Sequence, residues 1–153
     1  MGSFKGQLCL CDWRYRAKRT QIDTRIKSFL KADFVNQDDA ILQETRQQLI
    51  EYFEHKRKVF ELPILLAGSE YQQQVWNALL KVPFGKTSTY LELAKAIKNE
   101  KSVRAVGAAN GANAIAIIVP CHRIIGKNGA LIGYAGGLNV KAKLLTLEND
   151  LFN

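Results

Sequence analysis

Five consecutive apolar residues, Ile115-Ala116-Ile117-Ile118-Val119, lead directly into Pro120 and Cys121. A run this rich in β-branched side chains has no polar face to offer water, so it belongs inside the protein with structure packed on both sides. It predicts a buried extended segment that delivers Cys121 to the edge of a core.

The chain before this run reads as short elements of both kinds. Gln7 to Trp13 suits a half-buried strand through Leu8, Leu10, Trp13 and two cysteines, and a basic stretch, Arg14 to Arg19, follows. From Thr20 to Leu30, the residues Ile22, Ile26, Phe29 and Leu30 share one helical face, with Arg25 and Lys27 turned outward. Asp38 or Asp39 caps a second helix that keeps Ile41, Leu42, Thr45, Leu49, Tyr52 and Phe53 near one face and ends near a solvated His55. Pro63 and Gly68 punctuate a connector from Glu61 to Gly68, which divides the chain into subdomains at 1–66 and 67–153.

After the connector, Ser69 and Gln72 form a capping box, and Val75, Trp76, Leu79 and Leu80 supply a core stripe up to Val82 before Pro83-Phe84-Gly85 stops the helix. Thr87, Ser88 or Thr89 caps the next helix, with Leu91, Leu93, Ala94 and Ile97 apolar. A polar turn from Lys98 to Lys101 then separates it from another helix capped by Ser102. Two helices joined by so short a turn fit a helix-turn-helix, whose second helix approaches nucleic acid. Ala105, Gly107, Ala108, Ala109, Gly111 and Ala112 strip that second helix of bulk, so a duplex could come close. A glycine-punctuated loop from Gly126 to Gly137 and a helix from Lys141 to Leu151 complete the pattern.

The 47% apolar content of 153 residues supports one compact unit or two small, closely packed subdomains. A formal charge of +8 favours a polyanionic partner. The sequence carries no secretory signal pattern and no long uncharged apolar run, so it reads as soluble, cytoplasmic and without a membrane partner. Cys9 and Cys11 lie two apart on one strand face and Cys121 is distant, which suggests three reduced thiols. With His55 and His122 the only histidines and no Cys-x-x-Cys pair, neither a metal nor a cofactor is expected.

Cys121 stands apart because His122 and Arg123 adjoin it, and a thiol whose free pKa lies near 8.5 needs a base or positive surroundings to react at neutral pH. Neighbours in extended chain point oppositely, so His122 serves Cys121 only through a turn after Pro120 or through a water, and a bridging water is the expectation. An imidazole base needs an orienting partner, and of the downstream acids Glu148 and Asp150, Glu148 is the choice.

The segment Ile118-Val119-Pro120-Cys121-His122-Arg123-Ile124-Ile125 resembles the active-site signature of the methylated-DNA-protein-cysteine methyltransferases, or O6-alkylguanine-DNA alkyltransferases. The resemblance runs from about Gly68 to Glu148 through Gln74-Val75-Trp76, Pro83-Phe84-Gly85-Lys86-Thr87, Arg104-Ala105-Val106-Gly107, Asn113 and Gly133-Tyr134-Ala135-Gly136-Gly137-Leu138. It implies an α+β fold. A small N-terminal ribonuclease-H-like sheet subdomain with helices precedes a mainly helical, winged-helix-like DNA-binding subdomain.

The same resemblance implies a monomer that binds the minor groove of double-stranded DNA, flips an alkylated guanine out of the stack and moves the alkyl group irreversibly to Cys121, with O4-alkylthymine as a further substrate. Flipping costs a few kcal/mol. Arg104 would replace the extruded base, and Tyr90 would contact the nucleotide and donate to guanine N3. Thr89, Ala105, Ala109 and Arg123 would also face DNA, and Asn113 would tie the recognition helix to the active-site segment. Tyr134, Ala135, Ile124 and Ile132 would line the pocket, with backbone groups of Cys121, Ile124 and Ala135 reading the base edge. A thioether product cannot be displaced by water, so each molecule would act once.

The chain departs from the family at Ile132, where a small residue is common, so a bulkier wall would disfavour large alkyl groups. It departs again at the start, where the first strand of the N-terminal sheet is missing, which would leave an exposed sheet edge. Two other classes bear on these residues. A winged-helix regulator would not need Cys121, and a cysteine hydrolase would need an oxyanion arrangement and repeated turnover.

Overall fold

The computed structural model describes residues 1–149. Strands β1 (Gly2–Phe4) and β2 (Gln7–Leu10) form an antiparallel hairpin, followed by helices α1 (Arg19–Leu30) and α2 (Ala40–Phe53). Helix α3 (Glu70–Leu79), strand β3 (Ser88–Thr89), helices α4 (Tyr90–Ala96) and α5 (Val103–Gly111), strand β4 (Ile124–Ile125) and helix α6 (Leu138–Asn149) complete the α+β fold. Strands β3 and β4 pair in parallel, which sets the start of α4 beside the segment that leaves Cys121.

The local chemistry accounts for most element ends. Lys5 and Gly6 both take positive φ, of 48° and 77°, and Gly6 supplies the turn that closes the hairpin. Asp39 caps α2 by accepting from the Leu42 amide at 2.8 Å. Ser69 with Gln72, and Thr89 with Glu92, form complete capping boxes on α3 and α4. Ser102 behaves otherwise than expected. Its hydroxyl donates to the Asn99 carbonyl and accepts from Tyr71, so no side chain caps α5.

The main core cluster joins the N-terminal residues to the rest of the chain, with Leu8, Cys11 and Leu42 packed together with Val75, Trp76, Leu79, Val106, Val119 and Cys121. The strand expected over Gln7 to Trp13 ends at Leu10 and continues only as a bridge from Cys11 to Ile115. Strand β2 pairs with β1 on one side and exchanges backbone hydrogen bonds with Pro63 and Leu65 on the other. Phe29, Phe53 and Leu80, assigned to apolar stripes, are exposed, because each lies past the edge of its helix's buried arc. Arg25 turns inward rather than outward. Its guanidinium stacks 5.1 Å from the Trp76 ring, and its Nε donates to the Ala67 carbonyl.

The run Ile115–Val119 is buried, as expected, but it is not extended. After the Ile115 bridge the chain turns, with Ile117 at a φ of 71° and the Val119 amide donating to the Ile115 carbonyl at 2.9 Å. The turn folds the run back, so that Cys121 comes within reach of Asn113. Helix α3 stops at Leu79, three residues short of Val82, and α6 begins at Leu138, before Lys141. The predicted continuation of α6 over Asp150 and Leu151 lies outside the described residues.

Close packing beneath α3 makes Gly68 a steric constraint. A Cβ there would lie 2.4 Å from the Trp76 ring, whereas one on Gly111 would meet nothing within 4 Å. Gly68→Ala should therefore cost about 1–3 kcal/mol in urea unfolding. Gly111→Ala should change stability by no more than about 1 kcal/mol.

Candidate active site

Pro120 ends the buried turn and Cys121–Arg123 form a single 3-10 turn, all three side chains buried. Cys121, 4% exposed, accepts a hydrogen bond from Asn113 Nδ2 at 3.2 Å. The same amide donates to the Val119 carbonyl at 2.9 Å, and Asn113 Oδ1 accepts from the Ile115 amide at 2.9 Å. Asn113 thus fastens the end of α5 to both sides of the turn. Burial pushes the Cys121 thiol up, and the Asn113 hydrogen bond and the charges of Lys141 and Arg16 oppose that only in part. At rest the sulfur is a protonated thiol.

His122 is fully buried and its Nε2 lies 2.8 Å from Glu148 Oε1. Burial lowers the imidazole's pKa, with Glu148 opposing, so the ring is neutral at pH 7. Glu148 also accepts from Tyr52 at 2.9 Å, from Arg123 Nε and Nη2 at 2.9 Å each and from the Gly85 amide at 3.2 Å. Burial opposes its charge, but hydrogen bonds and ion pairing with His122 and Arg123 prevail and hold the carboxyl at about 2.

A carboxylate only accepts, so His122 Nε2 must carry the proton and Nδ1 must hold a free lone pair. Nδ1 is buried and has no hydrogen-bond partner among the described residues. Neither ring nitrogen bonds Cys121 directly.

A cavity of about 390 Å³ adjoins this turn, lined among others by Arg16, Tyr90, Asn110, Gly133, Tyr134 and Ala135. Cys121 is not part of that lining, whereas Tyr134, which is, packs edge-on to the His122 ring with centroids 6.4 Å apart. The Tyr90 hydroxyl donates to the carbonyls of Ile132 and Gly133 at 3.3 and 3.5 Å. Ile132 is exposed, and the Ile124 side chain is wholly buried, so it faces the core and not the cavity.

On the outer surface, Arg104 and Ala105 at the start of α5 are exposed and Thr89 is half-buried. Two predicted DNA contacts fall elsewhere. Ala109 is buried, and its carbonyl accepts from Trp76 Nε1 at 2.8 Å. Arg123 is buried with its guanidinium committed to Glu148 and to the Val82 carbonyl, because the carboxylate draws it inward. Neither side chain is free to meet a duplex.

Four contributors escaped the sequence reading. Arg16, in the basic stretch, is buried against Asp12 and the carbonyls of Gly111 and Asn113. Trp13 and Tyr15 donate at 3.1 Å to the Tyr134 hydroxyl and the Gly136 carbonyl. Lys141 is fully buried with Nζ bonded to the carbonyls of Ile124 and Ile132. A lysine at that depth, followed by Leu144 and Glu148 on the same helix face, carries a periodic signal. The Trp13 and Arg16 contacts cross most of the chain and carry none.

Glu148 has a folded pKa of about 2 against 4.5 when free, so its stabilisation is complete above pH 4.5 and is lost as pH falls through about 2. Urea midpoints measured across that window should fall steeply for the natural protein. Glu148→Gln, though less stable throughout, should show a shallower slope.

Residues 70–150 match the family described as 6-O-methylguanine DNA methyltransferase, DNA binding domain. A methylated-DNA-protein-cysteine methyltransferase of Methanosarcina mazei is 49% identical over 124 residues, 81% of this chain and 78% of that protein. The inducible enzyme of that name from Bacillus subtilis is 49% identical over 112 residues, 73% of this chain and 63% of its own length. The crystal structure of Mycobacterium tuberculosis OGT in complex with DNA superposes with a TM-score of 0.83 at 38% identity, covering 97% of this chain and 84% of that one. The O6-methylguanine-DNA methyltransferase of Pyrococcus kodakaraensis gives 0.64 at 26% identity, covering 86% and 76%. With its cysteine, imidazole and carboxylate in this arrangement, the chain belongs to the methylated-DNA-protein-cysteine methyltransferase family.

Proposed function

We propose that this protein repairs alkylated DNA by moving the alkyl group of O6-alkylguanine to its own Cys121, once per molecule. The observation that carries this reading is the order of the buried groups. An ionised Glu148 holds the proton on His122 Nε2, which leaves Nδ1 unprotonated and without a partner among the described residues, one residue along the chain from a protonated thiol. A water relaying the proton from Sγ to Nδ1 would free the thiolate as the sulfur attacks the alkyl carbon in line. General acid–base help of this kind is worth roughly 10²–10⁴-fold.

Tyr90 and Tyr134 form the walls through which a flipped base reaches the sulfur, with Ala135, the Ile124 backbone and Ile132 at the margins of the pocket. Tyr90 turns its hydroxyl from the Ile132 and Gly133 carbonyls to guanine N3 as the purine leaves. Asn113 keeps the sulfur in place. Arg104, exposed at the N-terminus of α5, fills the gap in the stack, and Thr89 and Ala105 lie along the backbone of the minor groove. In this reading α4, α5 and the Gly126–Gly137 loop act as a winged-helix-like unit, and residues 1–66 as a reduced ribonuclease-H-like subdomain.

Incubation with a duplex carrying one O6-methylguanine should add one methyl mass to the Cys121 peptide and stop at one equivalent per protein. Folded protein that leaves Cys121 unmodified contradicts the reading, and more than one equivalent favours a hydrolase-like turnover. Arg104→Ala should slow transfer more than it weakens binding to undamaged duplex, while binding itself falls as salt rises. Equal losses would make Arg104 a phosphate contact.

A further inference from the structure

The C-terminal end of α5 lacks the usual devices for satisfying its last carbonyls. No basic residue lies in its last turn, and neither Ala112 nor Asn113 takes the left-handed conformation that often closes a helix. The donor comes instead from the other end of the chain. Arg16 Nη2 donates to the Gly111 carbonyl, and Nη1 donates at 2.9 Å both to the Asn113 carbonyl and to the Asp12 carboxylate. Neither side chain of that ion pair is more than 4% exposed, so solvent screens it little. The adjoining backbone is fastened as well, because the Cys11 amide donates to the Ala114 carbonyl and the Ala116 amide donates to the Cys11 carbonyl. Residues 111–116 are therefore gripped by Cys11 and Arg16. At their centre is Asn113, whose Nδ2 donates to the Val119 carbonyl and to Cys121 Sγ.

We infer that Arg16 is a positioning residue: its guanidinium locks the end of α5 and the Asn113 backbone in one arrangement, so that the Asn113 amide aims the Cys121 sulfur along the line of alkyl transfer. This rests on the alkyltransferase reading above. A planar fork that spans two carbonyls fixes their separation and direction together, which a flexible ammonium does not. Arg104 stands at the opposite end of α5, so the arginine grips the helix away from the end assigned to DNA. Its charge acts in the same sense as its geometry. The Asn113 amide, Lys141 of α6 and Arg16 favour the thiolate that forms as the proton leaves, and Asp12 opposes it. His122, Tyr90 and Tyr134, the titratable side chains of the turn and the cavity wall, are held neutral by burial.

Two measurements on one set of variants test this. Single-turnover methyl transfer is followed against the concentration of a duplex carrying one O6-methylguanine, and alkylation of the Cys121 peptide by iodoacetamide is followed against pH without DNA. Arg16→Lys keeps the charge and loses the fork. It should lower the maximal transfer rate by about 10- to 100-fold, as a small misplacement of reacting groups does, and leave the half-saturating duplex concentration and the iodoacetamide midpoint unchanged. Arg16→Gln should lower the rate at least as far and also move the midpoint up, because Asp12 is left unopposed, whereas Asp12→Asn should move it down. Asp12→Asn combined with Arg16→Gln strands no buried charge, so it carries the rate test even if Arg16→Gln alone does not fold. A natural maximal rate in folded Arg16→Lys or in the double variant would overturn the inference, as would midpoints that move the same way in Arg16→Gln and Asp12→Asn. A raised half-saturating concentration at an unchanged maximal rate would make Arg16 a DNA contact instead. Failure of the natural protein to take a methyl group from the duplex would overturn the alkyltransferase reading, whereas a natural protein that transfers no faster than Arg16→Lys overturns only the role of Arg16.

Discussion

One buried carboxylate organises the reactive end of this protein. Glu148, 1% exposed, would be strongly destabilising in an apolar interior without partners, and it meets four donor residues from three separate parts of the chain: Tyr52 of α2, the Gly85 turn, and His122 and Arg123 of the 3-10 turn. Each donor offsets part of the desolvation cost, and removing any one side of such a buried pair typically costs about 3–5 kcal/mol. The geometry of His122 is therefore fixed by the same contacts that hold α6 against the body of the molecule. Stability and chemistry share one set of hydrogen bonds.

The thiol is prepared differently. Burial keeps Cys121 protonated and inert toward chance electrophiles, and Asn113 fixes its direction without ionising it. The wall of the adjoining cavity is pinned from two sides, by Lys141 beneath the Ile124 and Ile132 carbonyls and by Trp13 and Tyr15 above Tyr134 and Gly136. Packing at this wall is tight enough that a Cβ on Gly136 would lie 2.6 Å from the Trp13 ring nitrogen. The N-terminal residues, remote in sequence, thus take part in shaping the pocket.

Legibility from sequence followed the range of the interaction. The capping boxes at Ser69 and Thr89, the Asp39 cap and the helix faces of Ile22, Ile26, Val75 and Trp76 rest on contacts within a turn or two, and residue spacing states them directly. The Cys121, His122 and Glu148 set was readable because its motif is local and only two acids lay downstream. The turn at Ile117 was not, since a β-branched run promises burial without saying whether the chain extends or folds back. Arg16, Arg25 and Arg123 were read as surface cations from their charge, yet each is drawn inward by carbonyls, a ring or a carboxylate that only the tertiary fold supplies. Ala109 was assigned to the outer face by composition, and it is buried instead, with its carbonyl bonded to Trp76.

The account depends most on which nitrogen of His122 bears the proton. Nitrogen-15 NMR of the uniformly labelled protein near pH 7 would read it directly, with exposed His55 as the other of the two histidine signals. A neutral ring protonated at Nε2, with Nδ1 unprotonated, is the predicted result. An imidazolium, or a neutral ring protonated at Nδ1, would leave Nδ1 unable to take a proton and would contradict it.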